Sequence, residues 1–335
     1  RERRSGSAGT GVAATEATSS SPAASARDRI REAAIAVLMA GHYTSATSRE
    51  GIALDVEGIR IEARSLGGIA TTLAFPEWSL CVDLGICTPA ALRCRTVALT
   101  HGHGDHLAGL LKYLSVRRLY GMAAPTLVVP RGMEEGVEAL VTDLGRLQSR
   151  PYERQTIAVE IGGEVPLGQG LWLRSFPVAH RQPATGWLVV RRTRRLREAF
   201  RDLPGAEIAR LRAAGEEDVL MDTVEVPLVA VTGDTSAEVD LSRDPGTVRA
   251  RVLVLEATFW GEDEERGIQA AALGQHLHSS QLAGVIRGVE ARALVLYHLS
   301  QVHSVEEVRE RLPRVLPPEW LPRTRIIEPL PEDRL

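Results

Sequence analysis

Lysine is all but missing. Lys112 is the only one, and arginine, scattered along the whole chain, supplies every other basic side chain. Cysteine is scarce as well. Cys81, Cys87 and Cys94 are odd in number, and their spacing fits neither a disulfide framework nor a zinc ribbon. Three reduced thiols in a cytoplasmic protein are the expectation. No run of about 18 apolar residues occurs, so no membrane-spanning helix is expected. Neither sign of charge dominates: 40 basic residues face 43 acidic ones, for a net charge of −3. That excludes a broadly cationic coat for nucleic acid, so any polyanion contact must come from a local patch or from bound metal. No repeat of about 20–50 residues is visible, which excludes solenoids and propellers.

What is present is an ordinary globular composition. The chain has 335 residues, 44% apolar and 25% charged, enough for one large core. Residues 1–25 are mostly Ser, Ala, Gly, Thr and Arg, with almost nothing to bury, and read as a disordered tail. Residues 26–40 can form a short helix, but charges reaching Glu32 and a brief apolar stretch do not make a signal peptide. The expected division is a tail over 1–50 and one domain over 51–335. From about residue 52 onward, β-branched runs alternate with helical ones. Strands are expected at 59–64, 69–74, 79–83, 96–100, 126–129, 171–178, 186–191, 226–232, 252–255 and 293–297. Helices are expected at 106–115, 133–147, 204–214, 266–273, 279–288 and 304–312. Many strands with interleaved helices indicate the α/β class.

The chemistry sits at strand ends. His101-Gly-His103-Gly-Asp105-His106 follows the apolar run TVALT and leads into a helix. Alternate residues of an extended segment project to one side, so His101 and His103 can grip one ion. Asp105 and His106, on the turn into the helix, can face a second. Further candidates share the placement: His180 follows the run 171–178, Asp234 lies in Gly-Asp-Thr after 226–232, and His298 ends 293–297. In α/β sheets such groups gather at one edge. The inventory points to His101, His103 and His180 on one ion and Asp105, His106 and His298 on the other, with Asp234 bridging. Five imidazoles favour zinc, and the carboxylates also admit manganese or iron. Two such divalent ions lower the pKa of a shared water and clamp the oxygens of a transferring phosphoryl group. No serine or cysteine nucleophile stands out. Glu256, ending VLVL, and His276, in Gln-His-Leu-His-Ser-Ser, form a second pair, because a His held by a carboxylate is a good general acid. The alternative for His276 and His278 is a polar helix start capped by Ser279. His42 and His303 read as bystanders.

These motifs resemble the metallo-β-lactamase superfamily and, within it, the short-form tRNase Z enzymes, over about residues 55–310. The matching segments are LTHGHGDHLAGL, FPVAHRQPATGW, VAVTGDT, LEATF, and LGQHLHSSQ with LVLYHLS. The 22 residues from His276 to His298 fit the family's spacing better than the 20 from His278, which makes His276 the proton donor. The resemblance implies a metallo-β-lactamase-like four-layer αβ/βα sandwich of two mixed sheets. It implies hydrolysis of precursor tRNA 3′ to the discriminator nucleotide, by a homodimer. The family's tRNA-clamping arm corresponds to the segment before Gly-Asp-Thr, where Arg191, Arg192, Arg194, Arg195 and Arg197 form a basic run suited to phosphate. A solvated helical face is the other reading of that run. After the last ligand the family reads His-x-Ser-x-Arg-Tyr. Here Ser300 is kept as a substrate contact, but Val302-His303 stands in place of the Arg-Tyr pair, which is missing. A rival function on the same scaffold is hydrolysis of a small substrate such as a cyclic nucleotide, lactone or thioester. A third reading is a non-catalytic nucleic-acid-binding protein, which the full ligand set argues against.

Overall fold

The computed structural model describes residues 46–48, 51–181 and 183–334. In the first sheet β1 (Ala46–Ser48), β2 (Gly51–Val56), β3 (Ile59–Leu66), β4 (Ala70–Phe75) and β5 (Leu80–Leu84) run antiparallel in chain order. β6 (Thr96–Ala98), β7 (Thr126–Pro130) and β8 (Gln155–Val159) then continue from β5 in parallel. The second sheet repeats the plan. β9 (Glu164–Gly168), β10 (Leu171–Phe176), β11 (Gly186–Leu196) and β12 (Met221–Val231) are antiparallel, and β13 (Val252–Glu256), β14 (Ala293–Tyr297) and β15 (Thr324–Ile326) are parallel. The helices are α1 (Pro89–Arg93), α2 (Gly104–Leu107), α3 (Leu110–Leu119), α4 (Glu134–Leu147), α5 (Gly205–Ala213), α6 (Glu217–Leu220), α7 (Pro245–Val248), α8 (Glu264–Gly274), α9 (Leu282–Val285) and α10 (Val305–Val315).

The layering follows from the two-residue period of a strand. In β13, Val252 and Val254 join a core between the sheets, whereas Leu253 and Leu255 join a second core under α9 and α10. In the first sheet, Ala98 faces the other sheet, and its neighbours Val97 and Leu99 face a third core with α3 and α4. Three apolar cores between four layers are the αβ/βα sandwich expected above. Trp187, fully buried, ties the sheets by donating its indole N–H to Leu99 O at 3.0 Å. Among the described residues no helix is long and apolar enough to cross a membrane.

Some elements differ from expectation. The helix expected at 106–115 is broken between α2 and α3, because Gly109 passes close against the end of β5. Its N–H donates to Leu84 O at 2.8 Å, and a Cβ there would lie 2.7 Å from the same oxygen. The helix expected at 279–288 is a 3₁₀ turn followed by the single turn α9. The strand expected at 186–191 runs on to Leu196, so the Arg191–Arg195 run lies on a strand and not on a solvated helical face. The segments expected to form the tail and its helix, and His42, lie outside the described residues, apart from β1.

Gly85 links the first sheet to the loop of the histidine motif. A Cβ at Gly85 would collide with the carbonyl oxygen of Asp105 and lie 2.6 Å from Thr71 N. Neither neighbour is a flexible side chain. Gly85→Ala is therefore expected to cost about 1–3 kcal/mol of stability by overpacking, read as a lowered midpoint in denaturant or thermal unfolding.

Candidate metal centre

The strands of both sheets that carry the candidate residues end at one edge, and the side chains converge there. β6 delivers His101 and His103, and the first turn of α2 delivers Asp105 and His106. His180 follows β10, Asp234 follows β12, Glu256 ends β13 and His298 follows β14. The ligating atoms of His101, His103, His180 and Asp234 all lie within 4.8 Å of one another, as do those of Asp105, His106 and His298. Asp234 stands between the two sets. Its Oδ2 lies 3.5 Å from His101 Nε2, and its Oδ1 lies 3.3 Å from His106 Nε2 and 3.4 Å from His298 Nε2. A third set, Asp234, His276 and His298, overlaps these.

The polar chemistry of this cluster is incomplete within the protein. His180 Nε2 and Asp234 Oδ1 are buried and have no hydrogen-bond partner. Buried lone pairs left in this way cost free energy unless something else satisfies them. The nitrogens also crowd each other: His101 Nε2 lies 2.9 Å from His103 Nδ1, and His106 Nε2 lies 3.2 Å from His298 Nε2. Burial, and after it the neighbouring His106, drive the His101 imidazole down to about 2. Burial also lowers His180. Both are therefore neutral, the form a metal takes. For Asp234 burial works the other way, but the charges of His298 and His106 hold its carboxyl well below the usual range. Asp105 is likewise held down, against burial, by the His298 hydrogen bond and by His106. The neutral imidazoles of His101 and His180 beside ionised carboxylates, with the buried lone pairs of His180 Nε2 and Asp234 Oδ1 unsatisfied, fit a pair of divalent cations.

A second layer of residues orients the first. Asp83, at the end of β5, takes His106 Nδ1 at 2.8 Å and accepts from Thr100 N and Oγ1. Thr100 Oγ1 in turn lies 3.0 Å from His101 Nδ1, and Thr258 Oγ1 lies 3.0 Å from His298 Nδ1. Gly68 N donates to Asp105 Oδ2 at 2.9 Å. Asp83, Thr100 and Thr258 were not picked out by the sequence reading. Asp83 carries the same signal as the others, an acidic residue closing an apolar strand. Two site residues hold left-handed backbone conformations without being glycine, Asp83 with φ 55° and His298 with φ 63°. Backbone strain of this kind collects where function fixes a side chain.

Glu256 is fully buried and accepts from Thr235 N, Thr258 Oγ1 and Leu277 N. It also holds His276 Nδ1 at 3.1 Å. Burial lowers His276, but the Glu256 hydrogen bond and charge more than offset this and raise it to about 9. The His276 ring stacks on His298, centroids 5.2 Å apart. His278 turns away from this edge. It caps the Ser279–Gln281 turn, in place of Ser279, and its Nδ1 lies 2.9 Å from Ser280 Oγ. His303 is buried beside Glu307.

The basic run is divided. Arg192 is committed to Glu164 and Glu225 and covers Trp172, whereas Arg194 makes only a surface ion pair with Asp218. Arg197 pairs with Asp222. Arg191 and Arg195 are exposed, without an ion-pair partner among the described residues. Residues 191–226 hold eight arginines and eight acids, so the hairpin is neutral as a whole. Ser300 lies just past His298, its N–H donating to Thr258 O at 3.0 Å and its backbone bridging Gly67.

No family model matches the chain. It is 30% identical over 267 residues to tRNase Z TRZ1 of Arabidopsis thaliana, covering 79% of this chain and 94% of that protein. It is 32% identical over 267 residues to the chloroplastic tRNase Z TRZ2 of the same plant, covering 79% of this chain and 74% of that one. Its structure resembles the human short-form tRNase Z with a TM-score of 0.52 at 16% identity, over 80% of this chain and 96% of that chain. At that identity the likeness speaks for the fold.

Proposed function

The chain belongs to the tRNase Z family, and from that premise we propose that it is an endoribonuclease that removes the 3′ trailer from precursor tRNA with two divalent metal ions. The relatives named above are tRNases Z by name, and this chain spans nearly the whole of one of them. The observation that carries the reading is the seven-residue cluster with its two buried, unsatisfied lone pairs. His101, His103 and His180 would hold one ion and Asp105, His106 and His298 the other, with Asp234 shared. The excess of imidazole favours zinc, with manganese next. When bound, such a pair supplies a polarised water at neutral pH and neutralises charge on phosphoryl oxygens.

The protein's own groups do the rest. Asp83, Thr100 and Thr258 fix the tautomers of His106, His101 and His298. Glu256 accepts a hydrogen bond from His276 Nδ1–H and keeps the imidazolium protonated, so that Nε2–H can hand its proton to the departing 3′ oxygen of the discriminator nucleotide and leave the neutral ring. The phosphate then stays on the trailer, and the tRNA ends in a 3′-hydroxyl. Arg191, Arg194 and Arg195 are exposed arginines of the run that would meet RNA phosphates, with Ser300 as a further contact nearer the site. A homodimer and a cytoplasmic location complete the proposal. The three free thiols agree with the latter, although one relative is named chloroplastic.

The test pairs two substrates. Purified protein with Zn²⁺ or Mn²⁺ is expected to cut a precursor tRNA once, after the discriminator, and to lose that activity to a chelator. Hydrolysis of bis-p-nitrophenyl phosphate with the precursor left intact would overturn the tRNA reading in favour of a small-substrate hydrolase. Precursor retained in a gel shift but never cut would overturn the enzyme reading.

A further inference from the structure

Helix α8 ends in an unusual way. Helices commonly close on a left-handed residue that is glycine, since a Cβ is disfavoured there. Here the left-handed residue is Gln275, with φ 57° and ψ 48°, although Gly274 stands immediately before it. The backbone therefore carries the strain on a residue with a long polar side chain. That side chain crosses to another part of the protein: Gln275 Oε1 lies 3.3 Å from His180 Nδ1, a residue 95 positions away. A second tie, from Arg181 Nη2 to Leu273 O at 2.9 Å, joins the same two segments.

The contact decides which nitrogen of His180 is protonated. A carbamoyl oxygen accepts only, so Nδ1 must carry the hydrogen and Nε2 must offer its lone pair. His180 Nε2 is the buried nitrogen that has no partner and lies with His101, His103 and Asp234. Three other imidazoles of the cluster are held in the same way, by Thr100, Asp83 and Thr258. Metal-ligating histidines generally have such a partner, and its loss weakens metal binding.

We infer that Gln275 is a positioning residue, kept in a strained helix cap to fix the His180 tautomer toward one of the two ions. The inference rests on reading the cluster as a metal centre, but not on the nature of the substrate. It is tested by titrating the metal-free 335-residue chain with Zn²⁺ against a chromophoric chelator. Gln275→Gly is expected to weaken one of the two bound equivalents about 10–100-fold and leave the other unchanged. The same variant relaxes the backbone, so the metal-free protein should melt at or above the temperature of the unaltered chain. Gln275→Glu, which keeps an acceptor at the same reach, should bind both ions at least as tightly as the unaltered chain. A purely structural cap predicts both affinities intact whatever the melting temperature does, and that result overturns the assignment. Equal weakening of both equivalents, or failure of Gln275→Glu to restore binding, also overturns it. If the unaltered chain takes up no pair of ions, the metal-centre reading itself falls, and this assignment with it.

Discussion

Asp234→Asn is expected to abolish cleavage and to lower the zinc retained after desalting from two equivalents to one or none. The substitution preserves shape and most packing, so it isolates charge and ligand strength. Asp234 is almost fully buried, and its two oxygens face different histidine sets, Oδ2 toward His101 and Oδ1 toward His106 and His298. No other side chain in the cluster spans both. An amide offers one weak acceptor and, on its other side, two N–H groups that would point at imidazole nitrogens or at a cation. Charge stabilisation by such a metal pair is worth several kcal/mol, so its loss should slow cleavage on the order of 10³-fold or more. Elemental analysis and a single-turnover assay on precursor tRNA check the two halves of this expectation. A variant that keeps two equivalents and full activity would refute the bridging role.

His276→Ala is expected to separate acid catalysis from metal binding. The variant should keep both zinc equivalents and lose about 10²- to 10⁴-fold in precursor cleavage. Glu256 is unsuited to this test because it accepts from four other backbone or hydroxyl donors and holds the fold together locally. Among the described residues the His276 side chain hydrogen-bonds to Glu256 alone, and it can be removed with less damage. The choice of substrate sharpens the result. A ribose 3′ oxygen is a poor leaving group that needs a proton, whereas p-nitrophenolate leaves without one. Hydrolysis of bis-p-nitrophenyl phosphate should therefore fall far less than cleavage of tRNA. An equal fall for both substrates, together with lost zinc, would mean that His276 serves as a ligand beside Asp234 and His298, the third grouping the geometry allows.

The residues at the strand ends were legible because their signal is local. An apolar run closed by His or Asp marks a buried strand delivering a polar group to a sheet edge, and His101, His180, Asp234, Glu256 and His298 all follow that pattern. The orienting residues were harder to see. Thr100 and Thr258 look like any threonine beside a strand, and their contacts depend on chain segments far away. Gln275 reaches a histidine 95 residues distant, from a helix end that sequence would assign to Gly274. Weak strands were also hidden. β9 contains Pro166, β15 has three residues, and β8 is half exposed, so none shows a clear two-residue period. The extension of β11 had no apolar period at all. It forms because it pairs residue by residue with β12, Arg192 opposite Glu225 and Thr193 opposite Val224. Opposed charges across the hairpin are also why a run that reads as a cationic patch in sequence is spent largely on holding its own strands.

The two sheets are copies of one plan, a meander followed by parallel strands, and each contributes part of the cluster. His101, His103, Asp105 and His106 belong to the first half of the chain, and His180, Asp234 and His298 to the second. Neither half owns a sufficient set of donors. Competence is thus a property of the seam, and any distortion that parts the halves reaches the chemistry before it reaches either hydrophobic outer layer.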